Sequence, residues 1–490
     1  METIDYVVLG GYFFVLIAIG LWGYTRVSSS ADFYTAGGKL PWWLSGISHH
    51  VSGYSGVVFV AYAAIAYTHG LTMYVWWAVS IAIAMVGTIF FIAPRWARLR
   101  STTGIQSPTE YLATRYNIPT QQVMAWTGVI ARTFDVGAKW AAIGILLNGF
   151  TGISIAWGIV VAGVVTLIYI TIGGLWADVM NDFASFVIQV GAGLILFVTV
   201  LIRLGDGVGG VVSLWDRLPE SHSNFFNAPY TAGFALAFMV ISFFSYSGGT
   251  WNLATRFISS PSGSEAKKAA SLSMVLYIIW PLILFFPMFA APVFLKDLAN
   301  PEQAYVFMVM EFLPSGLVGL LLASMFANTL TMTGSDSNTI SAVITRDILP
   351  ILFKRIRGYD TKKMLLIARI TTFTFVVFTL VIAFQSSAFG GVIGLVISWF
   401  AALLGPIAIP MILGLLPWFK HSGSRAALLS ILGGLLAFSF TKLYGIQSLA
   451  IELAAPTATS LVIYVLFGFI VRRKVPEKVE TLLTSLNKDL

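Results

Sequence analysis

The chain has 490 residues, of which 57% are hydrophobic and 10% charged, with a formal net charge of +8 and a mean hydropathy of +0.85. Soluble domains carry about 25% charged residues, so a water-soluble globule is excluded: there is too little charge to cover its surface. The chain has no cysteine, which removes disulfides and thiolate metal sites and leaves the compartment unread from that source.

A helix that crosses a bilayer needs about 20 mostly apolar residues. In chain order, thirteen such stretches occur, at about 4–25, 43–69, 72–94, 121–149, 153–173, 180–203, 229–255, 269–292, 315–345, 364–386, 389–416, 424–443 and 449–471. They are too long for barrel strands and lack strand alternation. The fold class is therefore all-α and polytopic, with about 13 transmembrane helices. The first stretch opens with Glu2 and Asp5 instead of a basic segment, and no small-residue cleavage site follows, so it reads as a span and not as a removable signal.

An odd number of spans puts the termini on opposite sides. With the C-terminus inside, twenty-two of the 29 Lys and Arg residues, Arg256 among them, fall on inside loops and the tail. Four fall outside (Arg203, Arg217, Lys296, Lys442) and three within spans (Arg132, Lys139, Arg369). Basic residues concentrate on the cytoplasmic side, so the N-terminus is expected outside and the C-terminus in the cytoplasm, in a cell inner membrane. The basic surplus is then a topology signal among lipids and not a nucleic-acid patch. Neither GxxxxGK[ST] nor GxGxxG occurs, so nothing points to ATP, and active transport would draw on an ion gradient.

Two spans are broken by glycine and polar residues. One reads Ser48-His49-His50-Val51-Ser52-Gly53-Tyr54-Ser55-Gly56, the other Ser245-Tyr246-Ser247-Gly248-Gly249-Thr250-Trp251-Asn252. Each opens a group of five spans, over 43–203 and 229–416, and five being odd, the second group runs inverted relative to the first. Between them lies a long outside loop, 204–228. A flanking helix (1–30) precedes the core, and two further helices with a cytoplasmic tail (417–490) follow it. Breaking a helix in hydrocarbon frees backbone carbonyls that need partners, and broken helices in matching positions point to a transporter's binding site. The competing reading is a Gly-rich kink that only lets helices approach closely.

The residues around these breaks resemble the sodium:solute symporter family. Ala31-Asp32-Phe33-Tyr34-Thr35-Ala36-Gly37-Gly38-Lys39-Leu40-Pro41-Trp42-Trp43 is similar to the loop before that family's first core helix. Ser107-Pro108-Thr109-Glu110-Tyr111-Leu112 with Arg115-Tyr116 is similar to an inside loop. Gly173-Gly174 through Asn181-Asp182 resembles the Gly-Gly…Thr-Asp signature, and Asn338 through Ile348 the end of the eighth core helix. The resemblance spans about 30–350. It implies a LeuT-type core built from an inverted five-helix repeat, and sodium symport of a small polar organic solute: a sugar, amino acid or organic acid. No covalent chemistry, and so no enzyme, is expected.

The resemblance also implies where sodium sits. Carbonyls of His50 and Gly53 (or, with a one-residue slip, Val51 and Tyr54) would face the carbonyl of Asn328 and the hydroxyl of Thr331. The second hydroxyl falls on Met332, a departure from the family, unless Thr333 takes its place. A second sodium site would use Asp182 with Thr331, Gly334 and Ser335, although Asp182 reads equally as a helix cap, and Asp336 as the partner of a basic residue on the inside surface. For the solute, the breaks offer Ser52, Tyr54, Ser55, Ser247, Thr250, Trp251 and Asn252, with Trp76, Trp77, Tyr277, Ser398 and Trp399 as walls. Arg132, Asp135 and Lys139 lie at i, i+3 and i+7 on one helix face. They neutralise one another, or one of them is diverted to a charged solute. Two rivals remain at this point: proton-coupled or uncoupled transport on the same fold, with His49, His50 or an Asp titrating, and a solute sensor or channel. The chain is expected to act as a monomer.

Overall fold

The computed structural model describes residues 1–385, 404–471 and 474–487. Its principal helices, numbered along the chain, begin with α1 (Thr3–Tyr24), α2 (Trp42–Val51), α3 (Val58–His69), α4 (Leu71–Thr103), α5 (Ile118–Thr151), α6 (Ile155–Ile168), α7 (Gly173–Leu204) and α8 (Ala232–Gly249). There follow α9 (Asn252–Ile258), α10 (Gly263–Phe294), α11 (Leu317–Leu352) and α12 (Thr361–Ala383). The last are α13 (Gly405–Leu413), α14 (Ser424–Leu443), α15 (Leu449–Ile470) and α16 (Glu477–Asn487).

Among the described residues, nine of these helices are long and apolar enough to cross a membrane. The sequence count of thirteen differs for local reasons. The span expected over 43–69 is two short helices, α2 and α3. The spans expected at 121–149 and 153–173 are α5 and α6, which meet at a 116° bend. Most of the span at 389–416 lies outside the described residues.

The bend between α5 and α6 is written in capping chemistry. Gly152 closes α5 in the left-handed region (φ 74°) with its N–H on the Asn148 carbonyl, and the Ser154 side chain accepts from Trp157 N–H to start α6. A carboxylate opens α1 for a related reason. Asp5 is buried, and its Oδ1 accepts from Gly316 N–H (2.6 Å) and Gly319 N–H (2.8 Å), satisfying orphan donors at the start of α11. In the short helix Ser30–Thr35 that precedes α2, burial pushes the Asp32 carboxyl up, but hydrogen bonds from the Ser28 and Ser29 hydroxyls outweigh it and hold the group below its ordinary value.

Both expected breaks are present. α2 ends at Val51, and the chain turns through Ser52-Gly53-Tyr54 before α3 resumes. Gly53 is required there: a Cβ would overlap the Tyr277 hydroxyl, and that hydroxyl donates to the His50 carbonyl at the end of α2 (3.1 Å). α8 gives way to α9 through Gly248 (φ 111°) and Trp251 (φ 59°, ψ −53°). Asn252 N–H donates to Thr250 O at 2.6 Å, a γ-turn with positive φ, which is rare and strained. A tryptophan holds that conformation only where its surroundings fix it. Its indole is buried and fills the space left by Gly128 on α5.

Candidate functional site

The two breaks meet in the middle of the bundle around a cavity of about 60 Å³. Ser52, Gly53 and Ser55 face it from the first break, and Thr250 and Asn252 from the second. Arg132, Asp135 and Lys139 come from α5, and Met332 from α11. Space of this size admits a few water molecules.

Four charges form a closed ring beside this cavity. Arg132 Nη1 lies 2.7 Å from Asp135 and Arg132 Nη2 lies 2.6 Å from Asp336. Lys139 Nζ lies 2.7 Å from Asp135 and 2.5 Å from Asp336. All four residues are buried. The i, i+3, i+7 spacing on α5 therefore does bring Asp135 between two cations. Asp336 closes the ring from α11, which corrects the expectation that it pairs at the inside surface. Isolated charges in such surroundings are prohibitive, and pairing each with two of opposite sign offsets much of that cost. Arg132 also reaches the second break: Nη2 donates to Asn252 Oδ1 (2.7 Å) and to the Thr250 carbonyl of the γ-turn.

A second buried cluster lies between α2, α7 and α9. Arg256, assigned from sequence to an inside loop, is fully buried on α9. This is a correction: the helix resumes after the break and carries the side chain into the bundle. Its Nη2 lies 2.7 Å from Asp178 and 3.1 Å from Asp182, and its Nε donates to Ser48 Oγ at 2.9 Å. Ser48 Oγ in turn donates to Asp182 Oδ2 at 2.5 Å. Asp182 sits inside α7, which removes the alternative that it caps a helix. Thr331 and Ser335 of α11 face Asp182 and Asp178 respectively. Oδ1 of each aspartate is buried without a hydrogen bond.

The remaining expected sodium ligands cluster near the first break and mid-α11. The His50 carbonyl accepts from Gly53 N–H (3.0 Å) as well as from Tyr277. The Asn328 carbonyl accepts from Thr331 Oγ1 (3.3 Å), and Thr333 Oγ1 donates to the Thr329 carbonyl (2.8 Å). Thr329 Oγ1 receives Gly56 N–H at 2.7 Å, tying α11 to the first break. Met332 points instead into the central cavity.

Of the residues expected to meet the solute, Ser52, Ser55, Arg132, Asp135, Thr250 and Asn252 share the cavity wall. Tyr54 stacks on Tyr277 (5.9 Å between ring centroids) behind it. Ser247 is engaged with Thr88 (2.8 Å). Trp76 lies in an aromatic cluster with Tyr230, Phe234 and Phe238, whereas Trp77 reaches the cavity. His49 is held by Ser273 Oγ (2.8 Å) and the Tyr246 carbonyl (3.2 Å). Ser398 and Trp399 lie outside the described residues. Sequence reasoning left Asp178 and Arg256 out of any site. The signal was an arginine four residues past a break, on the same helix as Asn252.

A membrane-spanning helical bundle with two interrupted helices, whose broken ends share a polar cavity with buried charges, defines a secondary transporter. The family model described as the sodium:solute symporter family matches residues 33–434, and the chain belongs to that family. It is thus a sodium-coupled multi-pass membrane transporter and not an enzyme.

Among similar proteins are the sodium/sialic acid symporter NanT of Aliivibrio fischeri, 26% identical over 71% of this chain and 70% of that protein, and the human sodium/iodide cotransporter, 26% identical over 89% and 69%. Of solved structures, a substrate-bound, outward-open Na+-coupled sialic acid symporter superposes with a TM-score of 0.80 at 19% identity, covering 97% of this chain and 100% of that one. Mhp1, a nucleobase-cation-symport-1 family transporter, gives 0.60 at 14% identity over 94% and 99%. These place the fold in the LeuT-like class.

Proposed function

We propose that the chain moves a small organic solute bearing a carboxylate together with sodium, by alternating access around the central cavity. The observation that carries this reading is the Arg132 ring. A guanidinium and an ammonium stand at the cavity among the hydroxyls of Ser52, Ser55 and Thr250, and Arg132 already holds the Thr250 carbonyl and Asn252 across the second break. An arriving carboxylate matches the fork geometry of Arg132 and displaces it from those acceptors, linking solute binding to the geometry of the break. Similar proteins include a sodium/sialic acid symporter and a sodium-coupled monocarboxylate transporter as well as a sodium/glucose cotransporter, so the preference for an anion rests on the charged ring. Trp77, Tyr62 and Phe238 give the cavity its apolar walls.

For sodium, the carbonyls of His50 and Gly53 and of Asn328, with Thr331 and Thr333, form the main site in this reading. Asp182, Thr331 and Ser335 form a second. Oxygen ligands suit a hard cation, and the buried, partner-poor oxygens of Asp182 and Asp178 support the second site. The repeats comprise 43–203 and 229–416. The protein works as a monomer in a lipid bilayer, a cell inner membrane, with its N-terminus outside and its C-terminus cytoplasmic.

The test is uptake into proteoliposomes under an inward sodium gradient, with radiolabelled acids, zwitterionic amino acids and neutral sugars. Uptake of a carboxylate that needs sodium and disappears in Arg132→Ala supports the reading. Transport of a neutral sugar at undiminished rate in Arg132→Ala would end it.

A further inference from the structure

The Arg256 cluster carries more charge than it balances. Asp178 and Asp182 are one turn apart on α7 and both are fully buried. Among the described residues the only cation touching either is Arg256. With both carboxylates ionised, the cluster holds one negative charge in excess. Oδ1 of each, and both polar atoms of the buried Asn181 between them, lack a hydrogen bond. An unpaired buried charge is among the most expensive things a fold can hold, so this group is built to take a further positive charge.

The contacts are also uneven. Arg256 Nη2 lies closer to Asp178 (2.7 Å) than to Asp182 (3.1 Å), and Ser48 bridges Arg256 and Asp182. Asp182 is therefore the carboxylate that a cation can claim while Arg256 remains on Asp178.

From this we infer that Arg256 is a tethered competitor of the coupling cation, with Asp178 as its resting partner. A sodium ion at Asp182 drives the guanidinium fully onto Asp178, and Ser48 loses its carboxylate. Arg256 belongs to the second half of one broken helix and Ser48 to the first half of the other, so ion arrival changes what ties both halves to α7. The inference deepens the sodium-symport reading and rests on it. What it adds is Asp178 and Arg256, which set the net charge that the ion meets.

The sign of the effect makes it testable. The experiment is a sodium titration of thermal stability on the purified full chain in detergent, with potassium and choline at equal ionic strength as controls. Wild type gives a sodium-specific rise, and Asp182→Asn weakens it. Asp178→Asn leaves one carboxylate against one guanidinium, a neutral site, and weakens apparent sodium affinity by about tenfold or more. Arg256→Gln leaves two carboxylates and tightens it by about the same factor. The double variant Asp178→Asn with Arg256→Gln restores a single negative charge and returns sodium affinity to near the wild-type value.

That rescue also guards against loss of fold, since the double variant removes the pair together. If Asp178→Asn keeps the wild-type sodium response, Asp178 is held neutral and the inference is overturned. It is overturned too if Arg256→Gln folds and binds sodium no more tightly, or if the double variant stays as weak as Asp178→Asn. A wild-type protein with no sodium-specific rise instead overturns the sodium sites themselves.

Discussion

Asp336 shows how a charge can be plain in a sequence while its role is not. The cations that it meets, Arg132 and Lys139, are about 200 positions away, and only the packing of α11 on α5 brings them within 2.6 Å and 2.5 Å. The spacing of Arg132, Asp135 and Lys139 was readable because it is local to one helix turn after another. The fourth member was not, because nothing local specifies which helix faces α5. Removing one partner of a buried ionic group leaves the others uncompensated, which costs about 3–5 kcal/mol. Asp336→Asn is expected to destabilise the protein by that order, read as thermal unfolding in detergent. The double variant Asp336→Asn with Lys139→Met removes one charge of each sign and should recover more than half of the loss. If the two changes simply add, the ring is not a coupled unit.

At the scale of elements, both broken helices were legible, since glycine and polar residues within otherwise apolar spans have few other meanings. The geometry of the second break was not. Tryptophan is among the last residues one would place at φ 59°, and the sequence offers it only as one of the residues with which the break meets the solute. Its position follows from α5: Gly128 leaves a notch that the indole fills, and a Cβ there would overlap the ring. The helix opposite the break thus holds the strained turn whose Thr250 carbonyl receives Arg132. Gly128→Ala is expected to destabilise the fold by about 1–3 kcal/mol as an overpacking change, and to reduce sodium-driven uptake beyond what the stability loss explains, because the break can no longer sit where Arg132 reaches it. Normal uptake in a measurably destabilised Gly128→Ala would separate the notch from the site.

At the scale of the whole molecule, the class of protein and the positions of the nine helices long enough to cross a membrane among the described residues could be read from hydropathy alone, since the bilayer imposes length and apolarity on every helix that crosses it. Charge on loops was a coarser guide: Arg256, Arg115 and Arg95 are counted as loop residues, yet all three are buried. Arg95 shows where one such charge goes. Its Nη2 donates to Asn487 Oδ1 at 2.5 Å, and Arg98 Nη1 to the Leu486 carbonyl at 3.2 Å, so the C-terminal α16 is docked on the end of α4. From sequence this segment reads only as a tail. Its apolar residues nonetheless follow helical spacing: Val479, Leu482, Leu483 and Leu486 are all buried, the i, i+3, i+4, i+7 stripe of an amphipathic helix. Burial of that stripe, together with the Arg95 and Arg98 hydrogen bonds, is what holds the helix against the bundle. Leu483→Asp puts a charge into that contact and should release α16, leaving it open to limited proteolysis while residues 1–471 stay folded and resistant. Because the helix packs against the end of α4 and against Leu112–Arg115 beyond it, a change in sodium-driven uptake in the released variant would show that the tail bears on the transport cycle. Equal uptake with a cleaved tail would mark α16 as a stabilising cover and no more.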